Sequence, residues 1–233
     1  MMYCTVESIK QVGPVVYLVI LQSEQVVDHK PGQYLYLQMD DLTWRPFSIA
    51  SIPDGSNRLE LHIGGAEPNQ YLDDILGYLH STYHHGQRLR IDAPHGRAWF
   101  RDNSERPLLL IAGGTGFSYI QSLLRHSLKY YPDKGVYLYW GGRYQAHLYF
   151  DRELIALTKH YKSLNYVPVV EHPSVGWPGK TGQVIGAVCE DFKTLEEMDI
   201  YLCGNPSMVC EAKDQFIDAK KAIITRIISD ALM

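Results

Sequence analysis

The sequence PLLLIAGGTG, from Pro107 to Gly116, joins a short run of large apolar residues directly to a glycine-rich turn. Four consecutive apolar residues, Leu108 to Ile111, predict a strand that is buried on both faces, as in a parallel sheet. The next segment, Phe117 to Tyr130, carries apolar residues at helical spacing and predicts a helix. A strand, a glycine turn and a helix N-terminus together form a site suited to a phosphate anion. The glycines by themselves fit either such a site or a simple change of chain direction.

The sequence that follows this turn alternates between strand and helix patterns. Strands are predicted over 136–140, 166–170 and 199–203, and helices over 151–160, 184–189 and 206–220. This alternation predicts a parallel sheet with helices on its faces. Glycines occur at the ends of three predicted strands, as Gly113-Gly114, Gly141-Gly142 and Gly204. Because ligands bind outside the carboxyl ends of such strands, this convergence favours a nucleotide cleft over a structural coincidence.

The first half of the chain has a different pattern. Short β-branched and aromatic segments, broken by turn residues, predict strands over 15–21, 34–37, 47–52, 58–63 and 87–92. About six such strands between Thr5 and Pro94 indicate a closed or nearly closed antiparallel barrel. One helix is predicted over 69–80. The predicted fold class is therefore an antiparallel β-barrel domain, residues 1–98, followed by a doubly wound α/β domain with a parallel sheet, residues 99–233.

Composition narrows the class of protein. The 233 residues are 45% hydrophobic and 21% charged, which is typical of a soluble globular protein. A net charge of −4 without basic runs argues against a nucleic-acid partner, and no apolar run is long enough to span a membrane. The N-terminus lacks the features of a signal peptide, and the four scattered cysteines have no metal-site spacing. We therefore expect a cytoplasmic protein with free thiols and no metal.

The segment Arg45-Pro46-Phe47-Ser48 is the most distinctive polar motif of the first half. An arginine is a forked donor for phosphate, and a serine hydroxyl is a small donor and acceptor. A segment with these side chains could bind a ligand that consists of a flat polar ring and a phosphate tail. The alternative is a surface arginine beside the start of a strand, and composition alone favours that alternative.

Several motifs in combination resemble the ferredoxin–NADP reductase superfamily along nearly the whole chain. Within it, the chain is similar to the bacterial NAD(P)H–flavin oxidoreductases, including those associated with bioluminescence. The motifs that carry the resemblance are Arg45–Ser48, Leu61–Gly64, Pro94–Gly96, Ala112–Gly116 and Cys203-Gly204, and the subgroup is matched by Ile111–Tyr119, Tyr139–Arg143 and Pro168–Glu171.

This resemblance implies a set of site residues. Arg45 to Ser48 would hold a flavin, and His62 to Gly64 would line its isoalloxazine ring. The turn Gly113 to Gly116, Arg143 and the Cys203-Gly204 edge would hold the nicotinamide nucleotide. Ser48 would be the catalytic residue, beside flavin N5. The implied cofactor-binding residues are, in chain order, Arg45, Pro46, Phe47, Ser48, His62, Ile63, Gly64, Pro94, Gly96, Ala112, Gly113, Gly114, Thr115, Gly116, Gly142, Arg143, Cys203 and Gly204.

Two departures from the family pattern concern the nicotinamide. The family often has two prolines directly after Cys-Gly, whereas this chain has Asn205-Pro206. The segment Ile227–Met233 lacks the aromatic residues that are common at the end of relatives. These differences bear on the details of nicotinamide docking and leave the predicted class unchanged.

The implied reaction is hydride transfer from NADH or NADPH to a free flavin, which is FMN, riboflavin or FAD and acts as a substrate. Reduced flavin would then supply acceptors such as iron(III) complexes or a flavin-dependent oxygenase, for example luciferase. A monomer is expected. Two alternatives stay open at this point. One is an electron-transfer subunit that retains its flavin for a partner oxygenase or iron–sulfur protein, and the other is a catalytically silent nucleotide-binding protein.

Overall fold

The computed structural model describes residues 1–65 and 67–232. The first half contains six strands and one helix among these residues. In chain order they are β1 (Met2–Gly13), β2 (Val16–Ser23), β3 (Tyr34–Gln38), β4 (Trp44–Ser48), β5 (Arg58–Gly64), α1 (Gln70–His84) and β6 (Leu89–His95).

The six strands form one antiparallel sheet in the order β4-β3-β6-β1-β2-β5. Beyond the end of β4, the Ala50 N–H donates to the Glu60 carbonyl oxygen of β5 at 2.8 Å, which joins the two edges of the sheet. The predicted barrel is thus confirmed. Helix α1 buries Leu72, Ile75 and Leu79 in the barrel core, and the Asn69 side chain caps its N-terminus.

The strand predicted over 47–52 is placed differently in the structure. β4 covers Trp44–Ser48, and the pair Tyr34–Ser48 is the last of its ladder with β3. The chain then leaves β3 and crosses toward β5, because the Ile49 N–H bonds to Gln33 whereas the Ala50 N–H bonds to Glu60. Ser48 therefore lies at a strand end, where a side chain can face a ligand.

The second half alternates strands and helices as predicted. Its elements are β7 (Leu108–Gly113), α2 (Phe117–Tyr130), β8 (Val136–Gly142), α3 (Asp151–His160), β9 (Leu164–Val170), β10 (Lys180–Thr181), α4 (Val184–Asp191), β11 (Asp199–Cys203), α5 (Pro206–Lys220) and β12 (Ile227–Ile228). They form a parallel sheet in the order β10-β9-β8-β7-β11-β12.

Strand β7 lies inside this sheet and is buried on both faces. Leu108 and Leu110 pack into the core beneath α2 and α3, whereas Leu109 and Ile111 pack into the core beneath α4 and α5. All four side chains are fully buried, which confirms the prediction from the apolar run. No helix within residues 1–65 and 67–232 has the length and apolar character needed to cross a bilayer.

Candidate active site

A cleft of about 690 Å³ lies between the barrel and the carboxyl ends of the parallel strands. This volume is within the usual range for sites that bind cofactors and small molecules. The barrel contributes the end of β4, the end of β5 and Tyr71 of α1 to the lining. The second half contributes the residues that follow β7, β8, β9 and β11, together with the first turns of α4 and α5.

The three glycine-bearing strand ends meet in this cleft. A Cβ on Gly116 would lie 2.3 Å from the Cys203 carbonyl oxygen, so only glycine lets the turn after β7 pack against the end of β11. Gly114 has a positive φ of 54°, and an added Cβ there would have no protein atom within 4 Å. The backbone at Gly114 is therefore open to the cleft.

Two helix N-termini border the same space. Helix α2 begins directly after the glycine turn and has no acidic residue in its first turn. Helix α5 begins at Pro206, with its N-terminus capped by the Asn205 side chain. The positive end of a helix dipole favours an anion, and the N-terminus of α2, which no side chain caps, suits a ligand that carries phosphate.

Arg143 lies on the cleft wall after β8, and its guanidinium pairs with Glu67 from the barrel side. The two side chains are 48% and 72% exposed, so this ion pair contributes at most about 1 kcal/mol. A ligand phosphate can therefore compete with Glu67 for Arg143. Glu171 and Glu211 also line the cleft, and Arg143 is the only arginine or lysine among the described residues of the lining.

Three residues of the Arg45–Ser48 motif lie on the barrel side of the cleft. Pro46, Phe47 and Ser48 line the cavity, and Ser118 of α2 donates a hydrogen bond to the Ser48 carbonyl oxygen at 3.2 Å. The Arg45 guanidinium lies over the Tyr71 ring, 4.4 Å from its centroid. This cation–π contact holds Arg45 against Tyr71 of α1, which lines the cavity, whereas Arg45 itself does not.

His62 lines the cleft and belongs to a buried polar network. Its Nε2 lies 3.0 Å from Glu60 Oε1, and its Nδ1 lies 3.0 Å from the Tyr149 hydroxyl. Burial lowers the pKa of His62 in spite of the adjacent carboxylate. Burial opposes ionisation of Glu60, yet hydrogen bonds from His62 and Arg125 outweigh it and lower the pKa of Glu60 to about 2. At neutral pH the network therefore contains a neutral imidazole and an ionised carboxylate.

Cys203 lies at the cleft wall beside the glycine turn. Burial, with a smaller contribution from Asp230, raises the pKa of its thiol to about 11. The sulfur is therefore a neutral, apolar part of the wall at neutral pH and not a thiolate nucleophile.

The structure brings most of the predicted site residues into one cavity. Those that line it are Pro46, Phe47, Ser48, His62, Gly64, Gly113, Gly114, Thr115, Gly116, Gly142, Arg143, Cys203 and Gly204. Five others lie elsewhere, and one of them, Arg45, lies over the Tyr71 ring. Ile63 is buried in the barrel core, Ala112 is buried in the core beneath α2 and α3, Pro94 is exposed, and Gly96 packs against Tyr34 and Asp230. Contact of these five with a cofactor stays a prediction.

Sequence reasoning missed the residues that join the two halves of the molecule behind the cleft. Glu60 and Tyr149 are separated by almost ninety residues of chain, and no motif links them. One signal was present in α2, where polar residues recur at positions 118, 121, 122 and 125 on one helical face. A polar stripe on a helix that is otherwise buried indicates a polar partner surface.

Comparison with known proteins shows that the second half of the chain is an oxidoreductase domain. Residues 110–214 match the family model of the oxidoreductase NAD-binding domain. The fold is shared with the ferredoxin reductase of carbazole 1,9a-dioxygenase, which is 24% identical, with a TM-score of 0.84 over 100% of this chain and 69% of that chain.

The family follows from relatives of nearly equal length. The chain is 44% identical over 229 residues to the NAD(P)H-flavin reductases of Vibrio harveyi and Aliivibrio fischeri, covering 98% of this chain and 97% of each relative. The chain therefore belongs to the NAD(P)H-flavin reductase family, and the predicted resemblance is confirmed.

Proposed function

We propose that this protein is an NAD(P)H:flavin oxidoreductase that reduces free FMN, riboflavin or FAD. The observation that carries the proposal is the juxtaposition of two walls across one cleft. The end of β4, Pro46 to Ser48, forms one wall, and the glycine turn after β7 forms the other. The barrel, residues 1–98, holds the flavin, and residues 99–233 hold the nicotinamide nucleotide.

The residues present fit such a pair of ligands. The open backbone at Gly114 and the N-terminus of α2 suit a phosphate-bearing nucleotide, and Arg143 adds the charged contact. Ser48 presents a hydroxyl at the opposite wall, on a strand end that Ser118 holds in place. When both ligands are bound, the nicotinamide supplies a hydride and the flavin ring accepts it at N5. The protein contributes alignment, a polar donor at Ser48 and exclusion of water by the surrounding walls.

The flavin acts as a substrate that binds and leaves. Tight retention of a flavin phosphate would need a free helix N-terminus and a free arginine on the barrel side. Here Asn69 caps α1, Glu67 adds a negative charge just before that helix, and Tyr71 already engages Arg45. Reduced flavin then passes to cytoplasmic acceptors such as a flavin-dependent oxygenase of the luciferase kind. We propose that the chain works as a monomer.

The test is the flavin dependence of NADH and NADPH oxidation by the purified protein. We expect slow oxidation without added flavin and rapid, saturable oxidation with micromolar FMN or riboflavin. The protein should be nearly colourless as purified. A yellow protein with stoichiometric flavin that needs a protein acceptor would favour the electron-transfer alternative. Absence of flavin-dependent turnover with either nucleotide would refute the proposal.

A further inference from the structure

One face of helix α2 is engaged with the barrel through polar contacts. The Ser118 hydroxyl donates to the Ser48 carbonyl oxygen at 3.2 Å, and the Ser122 hydroxyl donates to the Ser51 carbonyl oxygen at 3.0 Å. Residues three and four positions apart lie on the same helical face. The face that carries these serines also carries Gln121 and Arg125. The first turns of α2 are thus attached to the strand end that presents Ser48.

Glu60 of β5 is the centre of the remaining contacts of this face. Its Oε1 accepts a hydrogen bond from Gln121 Nε2 at 2.5 Å, and its Oε2 accepts one from Arg125 at 2.9 Å. The Glu60 side chain is only 13% exposed. A carboxylate with little solvent requires such donors, and hydrogen bonds to a charged group are stronger than those between neutral groups. A single side chain therefore joins the barrel to two successive turns of α2.

His62 extends this connection to the cleft wall. Because a carboxylate only accepts hydrogen bonds, His62 Nε2 carries the proton that faces Glu60. His62 Nδ1 is then an acceptor for the Tyr149 hydroxyl at 3.0 Å. Tyr149 lines the cleft and packs edge-on against Trp140, with the ring centroids 4.9 Å apart. A continuous path of hydrogen bonds thus runs from Arg125 through Glu60 and His62 to Tyr149.

The elements that this path connects carry the two walls of the cleft. Helix α2 begins directly after the glycine turn. Strand β5 ends at Gly64, which lines the cleft, and the chain between β4 and β5 begins directly after Ser48. A change in the docking of α2 on the barrel would therefore change the separation of the two walls. Hydride transfer needs reacting atoms about 3–3.5 Å apart, and a displacement of about 1 Å can reduce the rate about a hundredfold.

We propose that Glu60 is a positioning residue for hydride transfer, which sets the separation of the flavin and nicotinamide walls through Gln121, Arg125 and the His62–Tyr149 pair. This inference rests on the proposed flavin reduction. Glu60 is not among the residues that line the cleft, so it acts only through its neighbours. Its role thus differs from that of Ser48, which lines the cleft.

Two conservative variants and their combination test the proposal. Glu60→Gln removes the charge at nearly constant volume, and Tyr149→Phe removes only the hydroxyl. The measurements are the single-turnover rate of flavin bleaching with both ligands saturating, the Kd of each ligand, and the Tm. Tyr139→Phe is the matched control, because it removes a tyrosine hydroxyl that bonds to Asp191 at 2.7 Å, away from the cleft. Glu7→Gln is the control for the loss of charge. It breaks an exposed ion pair between Glu7 of β1 and Arg58, which lies on β5 with Glu60.

We expect each test variant to lower the single-turnover rate about tenfold, with each Kd changed less than about threefold. The double variant should lose less than the product of the two single losses, because both changes interrupt one path. The controls should retain the wild-type rate. Wild-type rates in Glu60→Gln and Tyr149→Phe, or losses confined to Kd and Tm, would overturn the positioning role. A wild-type protein that reduces no flavin would instead refute the proposed function.

Discussion

Arg143 provides the sharpest test of how the nucleotide is bound. A charge-assisted contact to phosphate is worth about 1.5–3 kcal/mol. In the free protein Arg143 is paired with Glu67, and release from that exposed pair costs up to about 1 kcal/mol. The net contribution to nucleotide binding is therefore about 0.5–3 kcal/mol. Arg143→Ala should raise the KM for NADH or NADPH about two- to a hundredfold, because about 1.4 kcal/mol corresponds to a factor of ten.

The assay is steady-state oxidation of the nucleotide with flavin saturating, followed by the reverse titration. The KM for flavin should change little, since Arg143 follows β8 on the nucleotide wall. Arg152→Ala, on the exposed side of α3, removes the same charge away from the cleft and should leave both constants unchanged. Glu67→Gln should lower the nucleotide KM by up to about fivefold, because it frees Arg143. Equal effects of Arg143→Ala on both substrates, or no effect, would refute the reasoning.

Three further predictions concern the barrel side. Ser48→Ala should lower turnover about tenfold, or about 1.4 kcal/mol in the barrier, with little change in flavin affinity; normal turnover with weakened flavin binding would make the hydroxyl a binding contact only. Flavin binding should be micromolar or weaker, with riboflavin and FMN about as effective as FAD, and co-purification of full-occupancy FAD through gel filtration would contradict this. The pKa of Glu60 falls from 4.5 to about 2 on folding, which corresponds to at most about 3 kcal/mol of stability. That stability is fully present above pH 4.5 and is lost as the pH falls toward 2. Glu60→Gln should flatten the acid limb of a urea-unfolding series, whereas Glu7→Gln should retain it.

The sequence was sufficient for the elements whose signals are local. The apolar run Leu108–Ile111 predicted a strand buried on both faces, because a strand with one face in solvent would alternate apolar and polar residues. Helices α2, α3 and α5 begin and end at the predicted residues. The glycines after β7, β8 and β11 predicted a shared cleft, since parallel strands end at one edge of the sheet.

Other features depend on tertiary packing that local patterns do not encode. The end of β4 at Ser48 is set by where β3 stops pairing, and the residues beyond it are apolar enough to continue a strand. The pairing of Arg143 with Glu67 joins two loops from opposite halves of the molecule. The Glu60–His62–Tyr149 path likewise forms only when α2 docks on the barrel. Long-range polar contacts of this kind were beyond the reach of single-sequence reasoning.

The most direct test of the central claim is an anaerobic single-turnover reaction of the purified protein with FMN and NADH that carries deuterium at nicotinamide C4. The account predicts that flavin bleaching requires the protein and saturates with both ligands. It also predicts that bleaching slows by a primary isotope effect when the transferred position is labelled. Bleaching at the same rate without the protein, or no bleaching with either NADH or NADPH, would contradict hydride transfer in this cleft.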